Sequence, residues 1–176
     1  MSSPDPLRHS RKLAVLAALA APLAVAGCQV RPLYATTAVE AGPQADLPAI
    51  DVESPAGRFE QSYRNALLFA LRGGGAGTTA RYTLSFRITA RTQGLAVERT
   101  VGTPNLYQIT GALSFLLKDA ATGESLFGTS VLANDSYTRS SQSFANIRAE
   151  RDAEDRLASQ LATLTQARLA AYFATR

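Results

Sequence analysis

Apolar and polar residues alternate along this chain with two periods, and the changes of period fall at glycines and turn residues. Residues 57–72, GRFEQSYRNALLFALR, set Phe59, Tyr63, Ala66, Leu67, Ala70 and Leu71 at steps of three and four. This spacing gives a single apolar stripe and predicts an amphipathic helix. Ser54 is its candidate N-cap, with Pro55 at the first helical position. Gly73, Gly74 and Gly75 end it, because glycine enters the left-handed conformation at little cost. From residue 80 the period becomes two. Tyr82, Leu84, Phe86, Ile88 and Ala90 alternate with Arg81, Thr83, Ser85, Arg87, Thr89 and Arg91, which predicts a strand over 80–99 with one face in a core. Gly94 marks an expected bulge or kink.

Residues 104–118 alternate again, with Tyr107, Ile109, Leu113, Phe115 and Leu117 on one side. The turn residues DAATGE, 119–124, lead to a strand over 126–137 with Phe127, Val131 and Ala133 on one side. Two alternating runs around a short glycine-containing loop predict an antiparallel hairpin. Residues 143–173 read as a long terminal helix, capped by Ser143, with Ala153, Leu157, Leu161, Leu164, Ala171 and Tyr172 as its stripe. Its charge run, RAERDAEDR, spaces Arg148/Asp152, Arg151/Asp155 and Asp152/Arg156 four apart, as on a solvated helix face. A short strand is expected over 47–52, LPAIDV. The order is βαβββα. Two striped helices and a sheet with one apolar face cover each other as a two-layer α+β sandwich.

The first 46 residues have another character. Arg8, Arg11 and Lys12 precede an apolar run from Leu13 to Ala26, too short for a comfortable membrane span. Val25, Ala26 and Gly27 are the small residues at its end, and Cys28, the only cysteine, comes next. A basic flank, a short apolar core and small residues form the pattern of a secretory signal. With the cysteine at its end the pattern resembles a bacterial lipobox. Residues 1–27 are therefore expected to be a signal peptide of lipoprotein type, with Cys28 lipidated. Residues 28–46, with two prolines, a glycine and no clear period, are expected to be a tether, and 47–176 a single domain. Lipidation accounts for a lone thiol in an oxidising compartment. One acyl chain holds a protein only marginally, at about 0.8 kcal/mol per buried methylene, whereas two or three hold it stably. Gln29 follows the cysteine, where Asp favours inner-membrane retention in enterobacterial lipoproteins; outer-membrane delivery is the expectation by analogy.

Composition changes the picture mainly by what it removes. Cleavage before Cys28 leaves 149 of 176 residues, enough for one domain. Three of the 18 basic residues and one of the 14 acidic ones lie in the signal, so the remainder carries only +2 and does not call for a nucleic-acid partner. The one histidine, His9, is in the signal, and Lys118 is the one lysine beyond it. A Ser-His-Asp triad, a Cys-His pair and a His-ligated zinc site are unavailable. No paired carboxylates stand out along the strands, and an enzyme is not expected. The GGGAG run at 73–77 lacks the Gly-Lys-Ser/Thr ending of a phosphate loop and follows a helix where such a loop precedes one.

The combination of a lipobox cysteine, Arg31-Pro-Leu-Tyr34, the βαβββα order, the hairpin from Ala112–Ser114 through Lys118–Glu124, the segment Ser136–Thr138 and the acidic helix start Ala149–Arg156 resembles the lipopolysaccharide-assembly lipoprotein family LptE in its alphaproteobacterial form. The resemblance implies a mixed four-stranded sheet packed against two helices. It implies a lipid-anchored protein on the periplasmic side of the outer membrane, without a cofactor, that catalyses no covalent step. Such a protein plugs the LptD β-barrel, helps it assemble and contacts lipopolysaccharide on its way to the outer leaflet. Arg forks match phosphate geometry, so Arg87, Arg91, Arg99 and Lys118 are the candidates for contact with an acidic lipid. The plainer reading makes them solvent-facing cations of a sheet. An alternative assignment is an accessory lipoprotein of another, ABC-type, envelope lipid-transport complex.

Overall fold

The computed structural model of this chain describes residues 46–97 and 104–175. The elements are β1 (Ile50–Val52), α1 (Arg58–Arg72), β2 (Tyr82–Val97), β3 (Pro104–Asp119), β4 (Ser125–Thr138) and α2 (Ser143–Ala174). The strands form one sheet in the order β1-β2-β3-β4. β1 runs parallel to β2, and the other pairs are antiparallel. This is the expected mixed sheet in the expected βαβββα order, with both helices on one face.

Each strand buries the alternation read from its sequence. Leu84, Ile109, Leu113, Phe115, Leu117, Val131 and Ala133 are buried, with Tyr82, Phe86, Ile88 and Phe127 partly so. On α1 the buried positions are Tyr63, Leu67 and Leu71. Aromatic rings join the layers. Tyr63 of α1 meets Phe86 of β2 with ring centroids 4.9 Å apart, and Tyr172 of α2 stacks on Phe127 of β4 at 4.9 Å. At Gly111 of β3 the side chains of α2 pack directly on the sheet backbone. A Cβ there would lie 3.1 Å from Leu161 Cδ1 and 3.2 Å from Leu157 Cδ2. Gly123, at φ 73°, closes the β3–β4 turn, and Asp119 Oδ1 accepts from the N–H groups of Ala121 and Thr122.

The structure corrects several local expectations. Leu47–Ala49 is a 3₁₀ turn, not strand, and β1 is three residues long. Pro48 suits a turn because it has no N–H to give a ladder. Ser54 does not cap α1. The ladder extends to Glu53, whose N–H donates to Leu84 O, so the chain needs 54–57 to leave the sheet. Gly57 is the N-cap, without a side-chain bond. Gly73, at φ 59°, ends the helix as expected. Gln142, not Ser143, is the N-cap of α2. Its start is held by Asn146, whose amide donates to Ser140 O and accepts from Ser140 N–H. The stripe of α2 follows Ala153, Leu157 and Leu161 as expected, then runs through Thr165, Leu169 and Phe173, leaving Leu164 and Ala171 exposed. Ala90 is exposed although its neighbours across the sheet, Gly111 and Ala133, are buried; the helices cover β3 and β4 there but not β2. The expected bulge at Gly94 is present, as register shifts between Gly94 and Ala96 and between Ala96 and Val97.

The charge run of α2 ties elements together rather than facing water alone. Arg58 of α1 pairs with Glu154 and with Asp155, the latter at 3.1 Å, and Ser62 donates to Asp155 at 2.9 Å. Arg156 reaches Asp135 of β4 at 2.9 Å. Asp155 and Arg156 thus bond to α1 and β4.

Candidate functional site

Among the described residues nothing covers the face of the sheet turned away from the helices. Directly opposed residues share a face, so the register reads off its composition. Its cross-strand rows are Thr83–Lys118, Ser85–Leu116–Gly128, Arg87–Ser114–Ser130, Thr89–Ala112–Leu132, Arg91–Thr110–Asn134 and Gln93–Gln108–Ser136. Most of these side chains are small or carry a hydroxyl or amide. Arg87, Arg91, Ser114, Ser130 and Asn134 are exposed, and Lys118 is half-buried.

Three of the four candidate cations therefore share this face. Arg87 and Arg91 lie four residues apart on β2, roughly 14 Å at about 3.4 Å per residue. Lys118 stands opposite Thr83, another four residues back. They form a stripe, each cation suited to a separate anionic group, rather than a cluster around one. Arg99 and Cys28 lie outside the described residues, as do the expected signal and the tether up to residue 45. Asp46 accepts bonds from Arg81 and from the Tyr82 hydroxyl, the latter at 3.3 Å, which engages the neighbouring Arg81 away from the stripe.

The inner face holds its polar groups in pairs. Asp135 accepts from Arg156 Nε at 2.9 Å and from Ser136 N–H at 2.7 Å. Burial pushes its carboxyl up, but the bonds from Arg156 and Ser136 and the guanidinium charge outweigh this and hold it below the usual carboxylate range. The Tyr63 hydroxyl donates to Thr165 Oγ1 at 3.1 Å, and Thr165 donates to Leu161 O at 2.8 Å. Burial raises the Tyr63 phenol well above its ordinary range, against a smaller lowering by that bond. Among the described residues no group of three His, Cys, Asp or Glu is placed to hold a metal ion, and no helix is long and apolar enough to cross a membrane.

Residues 45–169 match the model of the LptE family, described as lipopolysaccharide-assembly. The match runs through every strand and α1 and into the last turns of α2. The chain belongs to the LptE family. No curated protein matches it by sequence. Solved structures resemble it in fold. One is described as a lipoprotein from Caulobacter crescentus, 23% identical, covering 76% of this chain and 97% of the other at a TM-score of 0.64. A minor lipoprotein from Acinetobacter baumannii is 18% identical, covering 69% and 90% at 0.56. Rare lipoprotein B from Shewanella oneidensis is 13% identical, covering 69% and 92% at 0.51. What these proteins share with this LptE-family chain is the two-layer fold.

Two features of the outer surface escaped the sequence reading. Leu132 stands 69% exposed in the middle of β4. Its place was legible, since Val131 and Ala133 point inward and Leu132 between them must point out. Phe144 and Ile147 are exposed on the first turns of α2, before the buried stripe begins. No sequence signal separates them from core positions of a helix.

Proposed function

We propose that this chain is the lipid-anchored outer-membrane lipoprotein of the lipopolysaccharide transport machinery, plugging and helping to assemble an LptD-type β-barrel. Cys28 carries the acyl chains, and residues 28–46 tether the domain to the periplasmic side of the membrane. The domain binds rather than catalyses and takes no cofactor.

The observation that carries the reading is the asymmetry of the sheet in an LptE-family fold. One face is sealed by two helices. The other is open, hydroxyl-rich and lined with Arg87, Arg91 and Lys118. A plug in a polar lumen needs a firm core and a polar exterior, and an acidic lipid needs cations that charge-assisted bonds reward. Arg99 continues the same basic sequence pattern.

A pull-down of the full chain from membranes in gentle detergent tests the assignment. A large β-barrel is the expected partner. Recovery of inner-membrane ABC-type components in its place would reassign the chain to another transport system. Labelled palmitate is expected on Cys28 and absent from Cys28→Ser.

A further inference from the structure

The glycine run that ends α1, GGGAG at 73–77, packs against the last residue of the helix. Gly73 and Gly74 have φ of 59° and 79°, in the left-handed region. Gly75 and Gly77 are there for close approach. A Cβ at Gly75 would lie 3.3 Å from Arg72 O. One at Gly77 would lie 2.8 Å from Arg72 Cζ, 3.0 Å from Nε and 3.1 Å from Nη2. The loop therefore crosses the Nε–Nη2 edge of the guanidinium, an edge through which arginine grips a carboxylate or phosphate by two parallel bonds.

That grip is unused within the fold. Arg72 Nε is buried and has no hydrogen-bond partner, and the side chain makes no ion pair with any described residue. A buried charged donor without a partner is costly. Nor does the helix need the guanidinium as a cap. Phe69 O accepts from the N–H groups of Gly73 and Gly74, and Ala70 O from Gln166 Nε2 at 2.8 Å. Arg72 O accepts from Gly75 N–H at 3.0 Å. The next backbone donors in the loop, the N–H groups of Ala76 and Gly77, bond to no described residue. Beyond them the chain is fixed. Thr78 N–H donates to Pro48 O at 3.4 Å, and Arg81 N–H to Ala49 O at 2.9 Å. Movement is thus confined to 73–77, where four of the five residues are glycine and a change of backbone angles meets little steric resistance.

We propose that Arg72 and the loop 73–77 form a binding site for a phosphate group. The loop swings off the Nε–Nη2 edge, and two phosphate oxygens take its place. Nε and Nη2 donate to those oxygens, and the N–H groups of Ala76 and Gly77 close on the anion from the loop side. The guanidinium gives up no bond when the loop leaves it, and the phosphate satisfies a charged donor that the fold leaves unpaired. A lipid headgroup and a free anion present the same oxygens to this site. Arg72 belongs to the helix layer, whereas Arg87, Arg91 and Lys118 line the opposite face of the sheet. The site therefore stands apart from the basic stripe and does not rest on the transport assignment.

Nuclear magnetic resonance of the full chain in mild detergent tests this. Inorganic phosphate is one probe, and micelles of a phosphorylated glycolipid are the other. Sodium chloride at equal ionic strength and the same glycolipid without phosphate are the controls. The Arg72 Nε–H signal and the Ala76 and Gly77 amides should shift together and exchange more slowly as phosphate is added. Binding at the stripe would move amides of β2 instead, so the two are told apart. Arg72→Gln should weaken the response of the loop amides by about tenfold or more. Arg72→Lys, which keeps the charge without the fork, should also weaken it, but less. Neither substitution should lower the melting temperature in phosphate-free buffer, since the side chain has no bond to lose. A response to inorganic phosphate makes this a site for free anions, and a response to the phosphorylated micelles alone makes it a site for a lipid headgroup. Loop amides that ignore both probes would overturn the proposal. So would an equal response to sodium chloride or to the phosphate-free glycolipid, or an undiminished response in Arg72→Gln.

Discussion

Thr165 shows how one polar side chain directs the core. It is fully buried, accepts from the Tyr63 hydroxyl and donates to Leu161 O. Thr165→Val leaves the Tyr63 O–H buried without a partner, at a cost of about 1–3 kcal/mol. Tyr63→Phe removes the donor and leaves Thr165 its bond to Leu161, so the loss should be smaller, about 1 kcal/mol. Urea unfolding of the two variants is expected to show this order, and the double variant should lose less than the sum. pH bears on the same residues. The Tyr63 phenol is raised in the fold, so its contribution is full below the unfolded value of about 10 and falls as pH rises past it. Tyr63→Phe should flatten that alkaline loss. Asp135 is depressed in the fold, so its contribution is present above the unfolded carboxylate value of about 3.9 and is lost on further acidification. Asp135→Asn should be less stable than wild type at neutral pH and lose less on going to pH 2, measured by urea midpoints.

At the scale of elements, the contact of α2 with β3 depends on the missing side chain of Gly111. A Cβ there sits at the edge of tolerance against Leu157 and Leu161, and the branches of valine have no room. Gly111→Val should destabilise by about 1–3 kcal/mol through overpacking. Combined with Leu157→Ala, whose cavity accepts the new methyls, it should be less harmful than the two separate losses predict, in a thermal-melt cycle. By contrast, the exposed pairing of Arg58 with Glu154 and Asp155 contributes only tenths of a kcal/mol to about 1. Arg58→Ala should shift the midpoint slightly, less still in high salt. Close packing sets the relation between helix and sheet, and the ion pairs at its margin align what the packing already holds.

At the scale of the molecule, the open sheet face and the sealed one divide the work. Arg87→Glu with Arg91→Glu replaces two exposed cations by anions without touching the core. Lipopolysaccharide binding by the full chain in detergent should weaken by an order of magnitude or more, with the melting temperature unchanged. Wild-type binding should also fall as salt rises, because exposed charges are screened. Binding that ignores both the substitutions and the salt would place the contact with the acyl chains instead of the basic stripe.

The periods of two and three to four, the glycines that end them and the turn at 119–124 settled the number, kind and order of the elements, because amphipathic periodicity is a local property of the chain. The basic positions on β2 were legible for the same reason, since alternation alone puts Arg87 and Arg91 on the face opposite Phe86 and Ile88. What only the tertiary structure decided is which pairs of faces meet. The last turns of α2 pack through Thr165 because Tyr63, 102 residues away, brings it a hydroxyl, and no local pattern marks that threonine as core. Asp155 and Arg156 find partners on α1 and β4 because packing brings those elements within bonding reach, which no spacing along the helix shows. Lys118 joins the stripe of β2 because the hairpin register sets it opposite Thr83, and register is fixed only when two strands bury one shared face.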